Sequence, residues 1–159
     1  MKEWYDQKYF DGMEEYARNS APRSTRRILK YRPESVLDVG CGHGYLVAEL
    51  LKKGIAVEGV DWSDSAGTLI PNNFTKAEAK ALPFPNQSFD IVVSTDFLEH
   101  IPEEEVEQVY SEMVRVAKRH VLALINFNLP EKKERDTHVT LRPKHWWIQK
   151  CRGIEFLVG

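Results

Sequence analysis

Val36-Leu37-Asp38-Val39-Gly40-Cys41-Gly42-His43-Gly44-Tyr45 is an apolar run that ends in glycines at alternate positions, and its reading decides the fold. Ser35 to Val39, apolar except for Asp38 and closed by glycine, has the pattern of a strand buried on both faces in a parallel sheet. Glycine permits positive φ and, lacking a Cβ, lets backbone N–H groups approach a bound molecule. The turn therefore reads as a ligand cradle shaped by contact rather than by packing. Asp38 is the anomaly, a carboxylate inside a strand that should be buried.

Outward from the turn, Tyr45 to Lys53 is predicted as a helix with Leu46, Val47, Leu50 and Leu51 facing inward, stopped at Gly54. Ala56 to Val60 is predicted as the second strand, and Asp61 closes it with an acid about twenty residues past the glycines, a spacing that suits a ribose. Phe74 to Glu78 reads as an edge strand, Leu82-Pro83-Phe84-Pro85 as a shaped loop and Phe89 to Ser94 as another buried strand. Asp96, Glu99 and His100 follow at its carboxyl end. Pro102 to Ala117 is predicted as a helix, with Glu103, Glu104 and Glu105 in its first turn and Lys118 and Arg119 at its end complementing the dipole. His120 to Ile125, a helix over Pro143 to Cys151 and a short strand over Ile154 to Val158 complete the pattern. Upstream, the aromatic residues Trp4, Tyr5, Tyr9, Phe10 and Tyr16 point to one or two short helices forming either a lid or a packing cap. The basic run from Arg23 to Arg32 is expected to face solvent.

Alternating strands and helices give an α/β three-layer domain with a mostly parallel sheet. Right-handed crossovers put the strand-to-helix loops on one side, so Asp38, the glycine turn, Asp61, Glu78 and Asp96 should converge.

The 159 residues, 42% hydrophobic and 29% charged, fit one domain, with 1–32 as a helical cap and Asn19 to Arg23 and Asn126 to Asp136 as loops within it. A formal charge of −2 disfavours nucleic-acid partners and polyanionic substrates. Cys41 and Cys151 have neither disulfide-framework nor metal-site spacing, so no metal is expected. There is no signal-peptide pattern and no apolar run near the ~20 residues that span a bilayer, so a cytoplasmic protein without membrane contact is expected.

Two ligand classes compete for the turn. In a dinucleotide G-x-G-x-x-G pattern the third glycine would fall at Tyr45, and Asp38 would lie where a pyrophosphate sits. A carboxylate there repels phosphate and suits an ammonium. The expected ligand carries an ammonium near the glycines and a ribose near Asp61.

At these residues the sequence resembles the class I S-adenosylmethionine-dependent methyltransferases, particularly the small-molecule group called methyltransferase type 11. Val36 to Gly44 resembles that family's first motif, Val57-Glu58-Gly59-Val60-Asp61-Trp62-Ser63 its second-strand acidic motif, Ala81 to Asp90 its next signature, and Phe97-Leu98-Glu99-His100-Ile101 a further segment. The resemblance covers roughly Ser35 to Ile125. It implies a Rossmann-like methyltransferase fold, S-adenosylmethionine as cofactor and S-adenosylhomocysteine as product. Gly40, Gly42 and Gly44 would border the methionine part, Asp38 would hold its amino end, Asp61 the ribose, Trp62 the adenine face, and Glu78 with the Ala79 backbone the adenine. Asp96 would lie near the methionine end or the acceptor.

The chemistry implied is in-line displacement, in which binding aligns the atoms and excludes water. An oxygen acceptor needs a base, and of His100, His138 and His145 the reading favours His138, in the loop after the fifth strand, as a catalytic residue with Asp96. Members of the family add a seventh, antiparallel strand after the sixth, whereas this sequence stops at Gly159. The fold is thus expected to lack the usual last strand, and an unpaired sheet edge would invite a homodimer. Two functions remain: methyl transfer to an oxygen or nitrogen atom of a small molecule, and a non-catalytic module of the same fold that binds the cofactor or a partner.

Overall fold

The computed structural model describes residues 7–125, 127 and 138–157. Its elements in chain order are α1 (Gln7–Ile28), β1 (Ser35–Val39), α2 (Tyr45–Leu51), β2 (Ala56–Asp61), β3 (Phe74–Lys76), β4 (Phe89–Thr95), α3 (Glu103–Val116), β5 (Ala117–Leu124), α4 (Lys144–Lys150) and β6 (Glu155–Phe156), with single 3-10 turns at Leu29–Tyr31 and Leu98–His100. The strands form one sheet in the order β3-β2-β1-β4-β5-β6, and every described pairing is parallel.

Alternation along β1 divides the core. Leu37 and Val39 pack on one face with Val106, Val109 and Met113 of α3 and Trp147 of α4. Val36 faces the other side, with Ala21 and Ile28 of α1 and Leu46, Val47 and Leu50 of α2. Asp38 shares Val36's face by the two-residue period of a strand, which turns it toward α1.

Two expectations about elements are corrected. Asn19 to Arg23 is not a loop, because α1 runs through it with Pro22 inside. Burial outweighs the proline: Ala21, Ser24, Thr25 and Ile28 are all buried, while Pro22 itself is exposed. Lys118 and Arg119 do not cap α3, because β5 starts at Ala117, directly after the helix. Their side chains lie 3.5 Å and 4.0 Å from the Asp90 carboxylate instead. Of the proposed loop from Asn126 to Asp136, all but Phe127 lies outside the described residues, as does Val158 at the end of the last predicted strand.

β6 pairs beside β5, with Leu122 opposite Glu155 and Ala123 opposite Phe156. It is fastened from the other face: Glu155 accepts from Tyr31 Oη at 3.0 Å and its Oε1 lies 2.6 Å from His120 Nδ1.

Candidate active site

The strand order reverses at β1, whose neighbours β2 and β4 lead outward in opposite directions, and a crevice forms at their carboxyl ends. A cavity of about 190 Å³ opens there beneath α1. Asp38, Gly40 and Gly42 line it from the end of β1, Asp61 and Trp62 from the end of β2. Glu78 and Ala79 line it from the segment after β3, and Asp96 from the end of β4. Gly44 lies outside the lining, and so does His138, whose ring instead stacks on that of His100, a lining residue, at 4.5 Å between centroids.

The glycine turn differs from a phosphate cradle. Gly40 N–H and Cys41 N–H both donate to Val60 O, at 2.8 and 3.1 Å, and Gly44 N–H donates to Cys41 O at 3.0 Å. Gly42 N–H donates to Asp61 Oδ2 at 3.1 Å. These donors are satisfied within the protein, so the turn does not present them to a ligand. The expectation of a turn shaped by contact rather than packing is therefore corrected. Gly40 (φ +76°) lies against the Phe97 ring and Gly44 (φ +94°) against Ile70, each so closely that a Cβ would collide. Backbone conformation and these two side chains require glycine there.

Asp38 and Asp61 form an acidic pair behind the turn. Asp38 is 1% exposed, and its Oδ1 has no hydrogen-bond partner among the described residues. Burial, with Asp61 adding to it, pushes its carboxyl up to about 7. Asp61 is also raised by burial, but N–H donors oppose the shift: its Oδ1 accepts from Ser63 N–H at 3.0 Å and its Oδ2 from Gly42 N–H. Three backbone N–H groups, of Ser63, Gly42 and Trp62, thus hold the Asp61 carboxylate at the rim of the cavity, with acceptor capacity left for a ligand hydroxyl. Burial and the same two carboxylates push the Cys41 thiol well above its ordinary range, so it stays protonated and is no nucleophile.

On the far side of β1, Asp96 sits in the left-handed region (φ 51°), its N–H donating to Leu124 O at 2.9 Å. Tyr16 Oη of α1 donates to Asp96 Oδ2 at 3.1 Å. Burial raises the Asp96 carboxyl, opposed by the Tyr16 hydrogen bond and by His138. Tyr16 is pushed up to about 12, by burial first and by Asp96 second, and so remains a donor. His138 is held close by backbone: Val139 N–H and Thr140 N–H both donate to Glu99 O at 3.0 Å.

Sequence reasoning left Tyr16 between lid and packing, and did not single out the rest of the α1 wall. Met13, Ala17, Ser20 and Ser24 all line the cavity, and their spacing of four, three and four residues is the helical stripe that could have announced it. Among the described residues no group of three or more His, Cys, Asp or Glu side chains is arranged to hold a metal ion, and no helix is long and apolar enough to cross a membrane.

The family profile described as a methyltransferase domain matches residues 37–125. A ubiquinone biosynthesis O-methyltransferase of Azoarcus sp. (strain BH72) is 37% identical over 83 residues, covering 45% of this chain and 35% of that protein. The chain thus spans about a third of the length of that curated relative. Among solved structures, a SAM-dependent methyltransferase from Archaeoglobus fulgidus is 25% identical, with a TM-score of 0.58 over 71% of this chain and 56% of its own. A protein from Pyrococcus horikoshii OT3 shares the fold with a TM-score of 0.67 at 22% identity, over 92% of this chain and 82% of its own.

Proposed function

The chain belongs to the S-adenosylmethionine-dependent methyltransferase family, and from that premise we propose that it transfers a methyl group from S-adenosylmethionine to an oxygen or nitrogen atom of a small-molecule acceptor, leaving S-adenosylhomocysteine. The reading takes 1–159 as one methyltransferase domain with α1 as its cap.

The observation that carries it is the Asp38 carboxylate, buried, lining the cavity and with Oδ1 unpartnered. A buried carboxylate without a partner is costly, and an ammonium supplies both the charge and the donor it lacks. Asp38 would hold the amino end of the methionine part. Asp61 would accept from the ribose hydroxyls, Trp62 would cover the adenine, and Glu78 with the Ala79 backbone would meet its edge. Gly40 and Gly42 would border the methionine chain, while Gly44 shapes the turn from behind through Ile70. When bound, the cofactor supplies a methyl group on a positively charged sulfur. The protein's part is to exclude water under α1 and to present the acceptor beside Asp96; His138, outside the lining and stacked on His100, would serve an acceptor that must lose a proton only as an onward proton acceptor.

Calorimetry with S-adenosylmethionine and S-adenosylhomocysteine tests the reading. Both are expected to bind, and Asp38→Asn is expected to weaken both by about tenfold or more, the loss of a charge-assisted bond. Absence of binding by either would sink the cofactor assignment. Binding without transfer of labelled methyl to any small molecule of a cell extract would favour the non-catalytic binding module.

A further inference from the structure

Resting on that reading, we infer that the methyl acceptor is an amine on an apolar body, an ammonium in solution, and that Asp96 is the group that receives it. The sign of the cavity comes first. Its fixed lining charges are Asp38, Asp61, Glu78, Asp96 and Glu105 against Lys80, and Lys80 Nζ is engaged by Glu105 Oε1 at 2.9 Å. The fixed charge of the described lining residues is thus net acidic, which favours a cationic acceptor over one that carries a phosphate, sulfate or carboxylate.

Position comes second. Asp38 and Asp61 stand together at the ends of β1 and β2, where the cofactor's own ammonium and ribose account for them. Asp96 stands apart, beyond β1 at the end of β4, under α1. It is held there in a left-handed backbone conformation that the surrounding structure must enforce. Tyr16 Oη donates to Oδ2, which orients a carboxylate that lines the cavity. Met13 and Ala17 of α1 and the Phe97 ring supply an apolar wall beside it.

Charge flow comes third. The bound ammonium gives one proton to water. The freed nitrogen lone pair then forms the C–N bond as the C–S bond breaks. Sulfur keeps the electron pair of that bond and becomes neutral, and the nitrogen ends as a methylated ammonium. Positive charge therefore arrives at the atom beside Asp96, so the carboxylate stabilises the transition state more than the neutral amine that precedes it. For a hydroxyl that reacts as its anion, the same carboxylate would oppose formation of the nucleophile.

The experiment is calorimetry on the full chain saturated with S-adenosylhomocysteine, using three probes of matched shape: 2-phenylethylamine, 2-phenylethanol and 3-phenylpropionate. The amine is expected to bind at least about tenfold more tightly than the alcohol and the carboxylate not at all; a tenfold loss of the amine is expected on Asp96→Asn, with the alcohol changed less than about twofold. Tyr16→Phe should weaken the amine a few-fold through loss of orientation alone. Retained S-adenosylhomocysteine affinity and an unchanged melting temperature show that each variant is folded. The inference is overturned if the alcohol or the carboxylate matches the amine, if the amine fails to bind at millimolar concentration, or if Asp96→Asn leaves amine affinity intact. Failure of S-adenosylhomocysteine itself to bind is a different result, which removes the cofactor reading and this inference with it.

Discussion

Asp38→Asn is expected to stabilise the ligand-free protein at pH 8 while weakening its hold on the cofactor. The Asp38 carboxyl ionises near 3.8 in an unfolded chain and near 7 in the fold, because burial and the neighbouring Asp61 both disfavour its charge. Below about pH 4 it is protonated in both states and costs nothing. Between those values the unfolded chain releases the proton and the folded one keeps it, so stability falls as pH rises through this window and levels off above about 7. A rise from 3.8 to about 7, at about 1.36 kcal/mol for each tenfold, corresponds to a penalty on the order of 4 kcal/mol. Asparagine has the same shape and no charge to desolvate. Whatever constant offset the amide introduces, the variant's advantage must therefore widen between pH 4 and pH 8, by about 2 to 4 kcal/mol once relaxation around the site is allowed for. Urea unfolding of both proteins at pH 4.5, 6 and 8 measures it. A gap independent of pH, or one that narrows as pH rises, refutes the account of Asp38 as a strained, charge-bearing anchor.

The same group gives cofactor binding a pH dependence: affinity should fall about tenfold for each pH unit below about 7, level off just above it and fall again where the ligand's own ammonium loses its proton, and titrations in buffers of different ionisation heat should show proton release below pH 7. Gly40→Ala drives a Cβ into the Phe97 ring in a left-handed backbone, and should cost about 2 kcal/mol or more in the urea midpoint, part of it recovered when Phe97→Ala is added. Arg115 donates to Leu82 O at 2.9 Å, Phe84 O at 2.8 Å and Asn86 Oδ1 at 3.0 Å; Arg115→Ala should speed limited proteolysis within 82–88 with little change elsewhere. Glu155→Ala removes the acceptor shared by Tyr31 and His120, so the Leu157 amide, which donates to Ala123 O at 2.8 Å, should exchange hydrogen faster than the amides of β4.

The sheet was legible because strands buried on both faces, such as Val36 to Val39 and Ile91 to Val93, have no solvent side and so show apolar runs, interrupted here only by Asp38. Asp61 and Asp96 were legible because topology alone brings strand ends together. What escaped was set by packing between distant segments. Local turn chemistry at Asn19 to Arg23 lost to the burial of Ala21, Ser24 and Ile28. Lys118 and Arg119 looked like helix caps until β5 began before them and Asp90 drew them in. The glycines were correctly seen to require special backbone, but the reason lay in Phe97 and Ile70, dozens of residues away. The Tyr16 bond to Asp96 spans 80 positions, and no local pattern encodes it.

The glycine turn has one more consequence. Its amides are tied to Val60, to Asp61 and to Cys41 within the protein itself, so this segment has little conformational freedom left to surrender when a molecule arrives. The loss of disorder on association should fall on the ligand and on α1 above it rather than on the loop beneath. That floor is rigid, and a heat-capacity change on binding should report the apolar area covered rather than the ordering of a loop.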